Sequence, residues 1–224
     1  MKRFPRDNGL GLAFGLLFLA TLVGQAFAGN ADLNSRRLTD GGDPIGLWQY
    51  VTSSDFAVNV AENWQSEYLQ FFLFIFATVW LMQRGSPESK PAGRLGAESD
   101  EDQLLGPQVK EQSPPWAKAG GWRTALYSNS LGLVMLGLFI GSWLTQSIAG
   151  RSSYNNDQLN QFQDPVTWWD YVLSADFWNR SLQNWQSEFL AIGSMAVLSV
   201  YLRQRGSPES KPVGTPHTAT DETG

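Results

Sequence analysis

The chain has 224 residues, 16 Lys+Arg against 21 Asp+Glu for a formal net charge of −5, a single histidine and no cysteine. Zero cysteine excludes disulfides, thiolate metal sites and cysteine nucleophiles, and the one histidine, His217, set in the polar stretch HTATDETG, excludes histidine metal sites and histidine-dependent triads. The acidic balance argues against nucleic acid as a partner.

An apolar share of 42% is ordinary, but it is gathered into four blocks. The first, Leu10 to Ala28 (LGLAFGLLFLATLVGQAFA), carries no charge, and about 20 such residues cross a hydrocarbon core of roughly 30 Å, so it predicts a transmembrane helix over about 9–29. A polar outer loop over 30–63 follows. The second block, Tyr68 to Leu81, is short for a span, and extension to Trp64 predicts a helix over about 64–83 with tryptophan at the interfacial belt. A stretch rich in Pro, Gly, Ser and acid over 92–121 cannot bury enough apolar surface to offset its ordering entropy and reads as a disordered cytoplasmic linker, with Trp116 and Trp122 at the membrane interface just before the next helix. The third block, Leu131 to Ala149, predicts a helix over about 129–150. An outer loop over 151–184 leads to the fourth, Phe189 to Leu202, read as a helix over about 185–204. The tail over 213–224 reads like the linker.

MKRFPR, an apolar run and AFA before Gly29 also fit a cleavable signal peptide. An internal repeat answers that rival. Asn8 matches Asn129 at an offset of 121 residues, and the same offset joins Gln25 to Gln146, Asp43 to Asp164, Trp48 to Trp169, Trp64 to Trp185 and Pro91 to Pro212 without a gap. The first block is therefore one copy of a unit whose second copy lies mid-chain. Repeat 1 covers 1–91 and repeat 2 covers 122–212. Two crossings per unit give both the same orientation, a parallel repeat about an axis along the membrane normal. Twelve basic residues, from Lys2, Arg3 and Arg6 to Lys211, fall on one side and four (Arg36, Arg37, Arg151, Arg180) on the other, which places both termini in the cytoplasm. The fold class expected is an all-α membrane bundle of four transmembrane helices as two parallel two-helix repeats.

Both outer loops carry Asp-Pro, W-x-Y-V and S-x-D-F. They predict short amphipathic interfacial helices with Trp and Phe toward lipid, Trp48, Trp64, Trp169 and Trp185 as interfacial anchors, and Asp55 and Asp176 as helix N-caps. The pentapeptide NWQSE at 63–67 and 184–188 has two readings. Asn63 or Ser66 caps a helix whose positive end faces Glu67, or the two-fold assembles Gln25, Glu67, Gln146 and Glu188 into a polar ring that serves an ion or small polar molecule. The nonapeptide QRGSPESKP at 83–91 and 204–212 supplies a helix stop in Gly85, Pro87, Gly206 and Pro208, with Arg84 and Arg205 reaching headgroups. Stopping a helix does not demand nine identical residues, so a cytoplasmic reader of the segment stands beside recent duplication as its explanation. Gly11 and Gly15, and Gly137 and Gly141, have the spacing of close helix packing, either between helices one and three or between copies of the chain.

No phosphate loop, H-E-x-x-H or G-x-S-x-G occurs. The expectation is therefore no enzyme, no catalytic residue, no metal and no cofactor. The segments RDNGLGLAFGLLFLATLVGQAFAG, ENWQSEYLQ at 62–70 and the two QRGSPESKP copies resemble a family of small bacterial multi-pass membrane proteins classed as a domain of unknown function, over nearly the whole chain. That resemblance implies a multi-pass protein of the bacterial cytoplasmic (inner) membrane and no particular activity. The expected role is structural or interactive, with the bilayer, a homo-oligomer and a cytoplasmic protein as partners; the alternative is a small oligomeric channel or transporter.

Overall fold

The computed structural model describes residues 4–221; Lys2 and Arg3, counted above among the inner cations, lie outside the described residues. Nine α-helices and two single 3-10 turns occur there, and no strand. The chain divides into two compact units, one built from the residues up to 61 and 145–172, the other from 62–144 and 173 onward.

Helix α2 (Gly9–Thr39) follows the single turn α1 (Phe4–Asp7) and, with 31 residues, is about 46 Å long. It runs ten residues past the predicted helix end at 29. Nothing in NADLNSRRLT breaks a helix, the Arg36 guanidinium pairs with Asp32 one turn back at 3.0 Å, and the chain leaves the helix only at Gly41, where φ is +79°. Helix α7 (Ser130–Asn160) repeats this length of 31 residues. Among the described residues these two are the helices long and apolar enough to cross a membrane, and almost none of their apolar stretch is buried, unlike the core helix of a soluble domain.

The short helices α3 (Leu47–Val51) and α8 (Trp168–Val172) stand where the outer loops were expected to hold interfacial helices. Trp48 and Trp169 are 83% and 68% exposed, but Tyr50 and Tyr171 are 1% exposed, each lying against a glycine of the long helix before it. A Cβ on Gly29 would run into the Tyr50 hydroxyl, and one on Gly150 into that of Tyr171. The connection is held by an asparagine in each copy. Asn34 donates to the Ile45 carbonyl at 2.9 Å and accepts from its N–H at 2.7 Å; Asn155 does the same with Val166 at 3.1 and 2.9 Å. Each amide thus satisfies both backbone groups of a residue that belongs to no helix.

Helices α4 (Ser54–Trp80) and α9 (Ala175–Tyr201) correct several expectations. They start about ten residues before the predicted boundaries, so Phe56 and Phe177 sit in their first turn instead of on separate interfacial helices, and Phe177 is fully buried, not lipid-facing. The helix-start hydroxyls are Ser53 and Ser174, each accepting from the amide of the following Phe (Phe56 and Phe177) at 3.3 Å. Asp55 accepts from the Ser153 hydroxyl at 2.7 Å and Asp176 pairs with Arg180 at 3.3 Å, so neither caps. Asn63, Ser66 and Glu67 lie well inside α4, which removes their capping role: the Ser66 and Ser187 hydroxyls turn back to the carbonyls of Asn63 and Asn184 at 2.8 Å. Helices α5 (Pro115–Lys118) and α6 (Gly121–Ser128) precede α7, with Trp116 edge-on to Trp122 and Arg123 over the Trp122 ring. The positions that a Cβ would take on Gly11, Gly15 and Gly137 meet no atom within 4 Å, so these glycines make no close helix contact within the chain.

Gly29→Ala forces Tyr50 out of its site and should destabilise the chain by about 1–3 kcal/mol, the range for overpacking a tight contact. Unfolding in detergent micelles checks this, and Gly29→Ala combined with Tyr50→Phe should recover part of the loss because the hydroxyl carries the nearest contact.

Candidate functional site

Polar groups cluster at two places in the unit built from 62–144 and 173 onward. The first is in the N-terminal halves of α4 and α9. Gln65 is fully buried; its carbonyl accepts the Trp185 indole N–H at 2.7 Å and its amide donates to the Glu62 carbonyl at 3.0 Å. Arg180 reaches the Glu62 carboxylate at 3.2 Å while holding Asp176. Trp143, Phe177, Trp178 and Trp185 form a chain of ring contacts at 5.6–6.2 Å beside this pair. Of the four residues proposed as a polar ring, Glu188 faces Ser66 and Glu67 here, with Glu67 exposed and Glu188 half-buried. Gln25 and Gln146 belong to the other unit, where Gln25 is half-buried and Gln146 fully buried.

That other unit also carries a cleft of about 330 Å³ between the polar ends of α2 and α7, where Arg36, Arg37, Asp40, Asp55, Asp157 and Asn160 meet. Arg37 spends its Nε on the Asp43 carbonyl at 2.8 Å, and Asp55 is engaged by Ser153. Three aspartates face two arginines there, and among the described residues no group of three His, Asp or Glu is placed to hold a metal ion.

The second cluster is the pair of QRGSPESKP turns, and it accounts for much of their identity. Helices α4 and α9 already end at Trp80 and Tyr201, before the glycines expected to stop them, and Gly85 and Gly206, with φ of +88° and +82°, instead turn the loop that follows, a backbone angle glycine takes without strain. Ser89 and Ser210 accept from the amides of Gln83 and Gln204 at 3.0 and 2.9 Å; Ser86 and Ser207 accept from those of Glu88 and Glu209 at 3.3 and 3.2 Å. Lys211 is 1% exposed and gathers the carbonyls of Pro216, His217 and Ala219 at 3.0–3.2 Å, while Lys90 takes that of Gly96 at 3.3 Å and pairs with Glu98. Gln, Gly, Ser, Ser and Lys therefore each have a bond or a backbone angle to serve. Arg84 and Arg205 are exposed, as are Gly206 and Pro208, whereas Gly85 and Pro87 are buried. The tail expected to be disordered lies folded on this cluster: Arg203 donates to the Thr215 carbonyl at 3.0 Å and His217 bonds the Val200 carbonyl through Nδ1 at 3.0 Å. Sequence reasoning missed this because a run of Thr, Pro and Gly has no apolar period; the repeated lysine was the available signal.

Glu88 and Glu209, which match at the same offset of 121, hydrogen-bond one another across the two turns. Burial first, and then the Glu209 carboxyl as hydrogen-bond partner and as charge, push Glu88 up to about 7 from an ordinary 4.5.

Among the described residues the protein is helical without strands, and two of its helices are long and apolar enough to cross a membrane. The chain belongs to the family described as a domain of unknown function (DUF6766), whose model matches residues 1–222. No curated protein and no solved structure matches it.

Since the folded turn retains a proton that an unfolded glutamate releases near pH 4.5, its contribution to stability is complete below that value and fades as pH rises through about 7. The Tm of the protein in detergent should fall between pH 5 and 8 by more than that of Glu88→Gln, whose amide keeps the hydrogen bond without titrating. Equal slopes for the two would contradict a shared proton.

Proposed function

We propose that the protein is a non-enzymatic, four-span protein of the bacterial cytoplasmic membrane with a structural or interaction role, both termini and both QRGSPESKP turns on the cytoplasmic side. Helices α4 and α9, at 27 residues, are about 40 Å long, and their inner halves from Tyr68 and Phe189 are apolar enough to complete a crossing that their outer halves begin. The observation that carries the role is the fate of the polar groups in those outer halves: Gln65 is spent on Trp185 and Glu62, and Glu62 on Arg180. Polar groups consumed in this way join helices to one another and leave no lining for a solute path. The surface offered to a cytoplasmic protein is the uncovered second turn, and a homo-oligomer is consistent with the open glycine faces of α2 and α7.

A small oligomeric channel or transporter is the second reading, favoured by Glu188 facing Glu67 at matching positions of the two repeats. The cysteine-free chain allows single cysteines at Gln25, Glu67, Gln146 and Glu188, with Phe74 as a lipid-facing control, to be probed by a small water-soluble thiol reagent added outside. The structural role predicts labelling at Glu67 that stops within one turn deeper on the same face. Rapid labelling at all four positions and two turns below them would mean a wet axis and would overturn it.

A further inference from the structure

The two QRGSPESKP turns share a backbone and differ in what lies on them. Over the first lies the tail. The Gly85 N–H donates to the Thr220 hydroxyl at 3.0 Å, the Asp221 N–H donates to the Ser86 carbonyl at 3.3 Å, and a Cβ on Gly85 would run into the His217 carbonyl. Over the second, no segment of the described residues lies in this way: a Cβ on Gly206 would meet no atom within 4 Å, and Gly206 and Pro208 are exposed where Gly85 and Pro87 are buried.

The covering segment is itself half of a repeat. Thr220-Asp221-Glu222 matches Ser99-Asp100-Glu101 at the offset of 121. The route to it is duplicated as well. Lys90 Nζ donates to the Gly96 carbonyl as Lys211 Nζ does to that of His217. The Gly96 N–H donates to the Val79 carbonyl at 2.7 Å, and His217 bonds that of Val200 with a ring nitrogen. Gly96 lies on the Trp80 ring, and His217 on the ring of Tyr201. Up to Gly96 the linker follows the path that the tail follows up to His217. The two part three residues later. Thr220 continues to Gly85, whereas Ser99 folds back on its own loop, donating to the Asp102 carboxylate at 2.6 Å and accepting from the Asp102 N–H at 3.2 Å.

We propose that the second turn, Gly206–Ser207, is a binding site for a hydroxyl–aspartate segment, and that its occupant is Ser99–Asp100 of the same chain in a second closed state. In that state the Ser99 hydroxyl accepts from the Gly206 N–H and the Asp100 N–H donates to the Ser207 carbonyl, the bonds that Thr220 and Asp221 make on the first turn. What Ser99 and Asp100 give up are bonds within one short exposed loop, the two to Asp102 and those their carbonyls accept from the Gln103 and Leu105 N–H groups at 3.1 and 2.7 Å, for which water substitutes. The inference goes beyond the membrane role and does not rest on it, since it concerns only which segment of the chain lies on which turn.

Cysteine pairs introduced into the full chain, in membranes and under mild oxidation, test it. Ser86→Cys with Asp221→Cys reports the closed first turn. Ser207→Cys with Asp100→Cys reports the proposed state, and Ser207→Cys with Asp102→Cys reports random encounter by the same loop. The proposal expects the 100/207 pair to close within one chain faster than 102/207, and Ser99→Ala to slow that closure about tenfold, the effect of losing one hydrogen bond of ordinary net strength. No closure, closure no faster than 102/207, insensitivity to Ser99→Ala, or disulfides formed only between two chains would each overturn it. Closure of 86/221 shows in the same samples that the cytoplasmic cluster is folded, and none of these outcomes bears on how many helices cross the membrane.

Discussion

Helix ends leave backbone amides and carbonyls without helical partners, and loops leave more. Satisfying those groups is the constraint on which this structure depends. The polar residues that recur in both copies serve it almost one for one. Asn34 and Asn155 bind both backbone groups of Ile45 and Val166. Ser53 and Ser174 bond the first turns of α4 and α9, Ser89 and Ser210 bond the chain just after those helices end, and Lys90 and Lys211 fasten the segments that fold back over the ends. A chain with long helices of apolar surface cannot leave these groups to solvent wherever water is scarce, which is why the repeat preserves polar side chains more strictly than the apolar interiors between them.

On this common frame the copies are filled differently. The second has Trp143, Trp168 and Trp178 where the first has Leu22, Leu47 and Ala57. Two of these, with Phe177 and Trp185, build the ring chain of the second copy, and Trp168 gives its indole N–H to Ser147 at 3.1 Å, a buried serine that stands where the first copy has the buried Ala26. The asymmetry continues at the QRGSPESKP turns, where the first lies beneath the tail and Gly206 and Pro208 of the second are exposed. Equivalent polar contacts recur at the offset of 121 residues, while the side chains packed around them and the segment lying over the turn differ between the two stretches.

The offset of 121 residues was the most informative feature of the sequence. It marks the equivalent helices, the turns at Gly85 and Gly206 and the kinship of the two loops. What stayed hidden were contacts at the edge of that pattern. The start of α4 at Ser54 escaped because SDFAVNVAEN mixes polar and apolar residues, as an interfacial helix does, while here the apolar side turns inward against its own chain. The Tyr50–Gly29 contact carries no local sign, since a lone tyrosine in a loop fits many settings; only its repetition as Tyr171–Gly150 pointed to a fixed partner. Among the proposed ring residues, Glu67 and Glu188 do face each other, but the buried group beside them is Gln65, whose match in the second copy is Gln186 and whose partner Trp185 was read as a lipid anchor. Side-chain burial on a half-polar helix depends on the neighbouring helix, which periodicity alone does not name.

The central claim is that both copies traverse the membrane twice in the same sense. Single cysteines at Asp40, Arg84, Asn160 and Arg205, all exposed, test it by labelling with a membrane-impermeant maleimide in intact cells and after permeabilisation. The account predicts that positions 40 and 160 react in intact cells and that 84 and 205 react only once the membrane is opened. Positions 40 and 84 reacting from the same side would leave α4 outside the membrane, and positions 84 and 205 on opposite sides would break the parallel repeat; either result would contradict it.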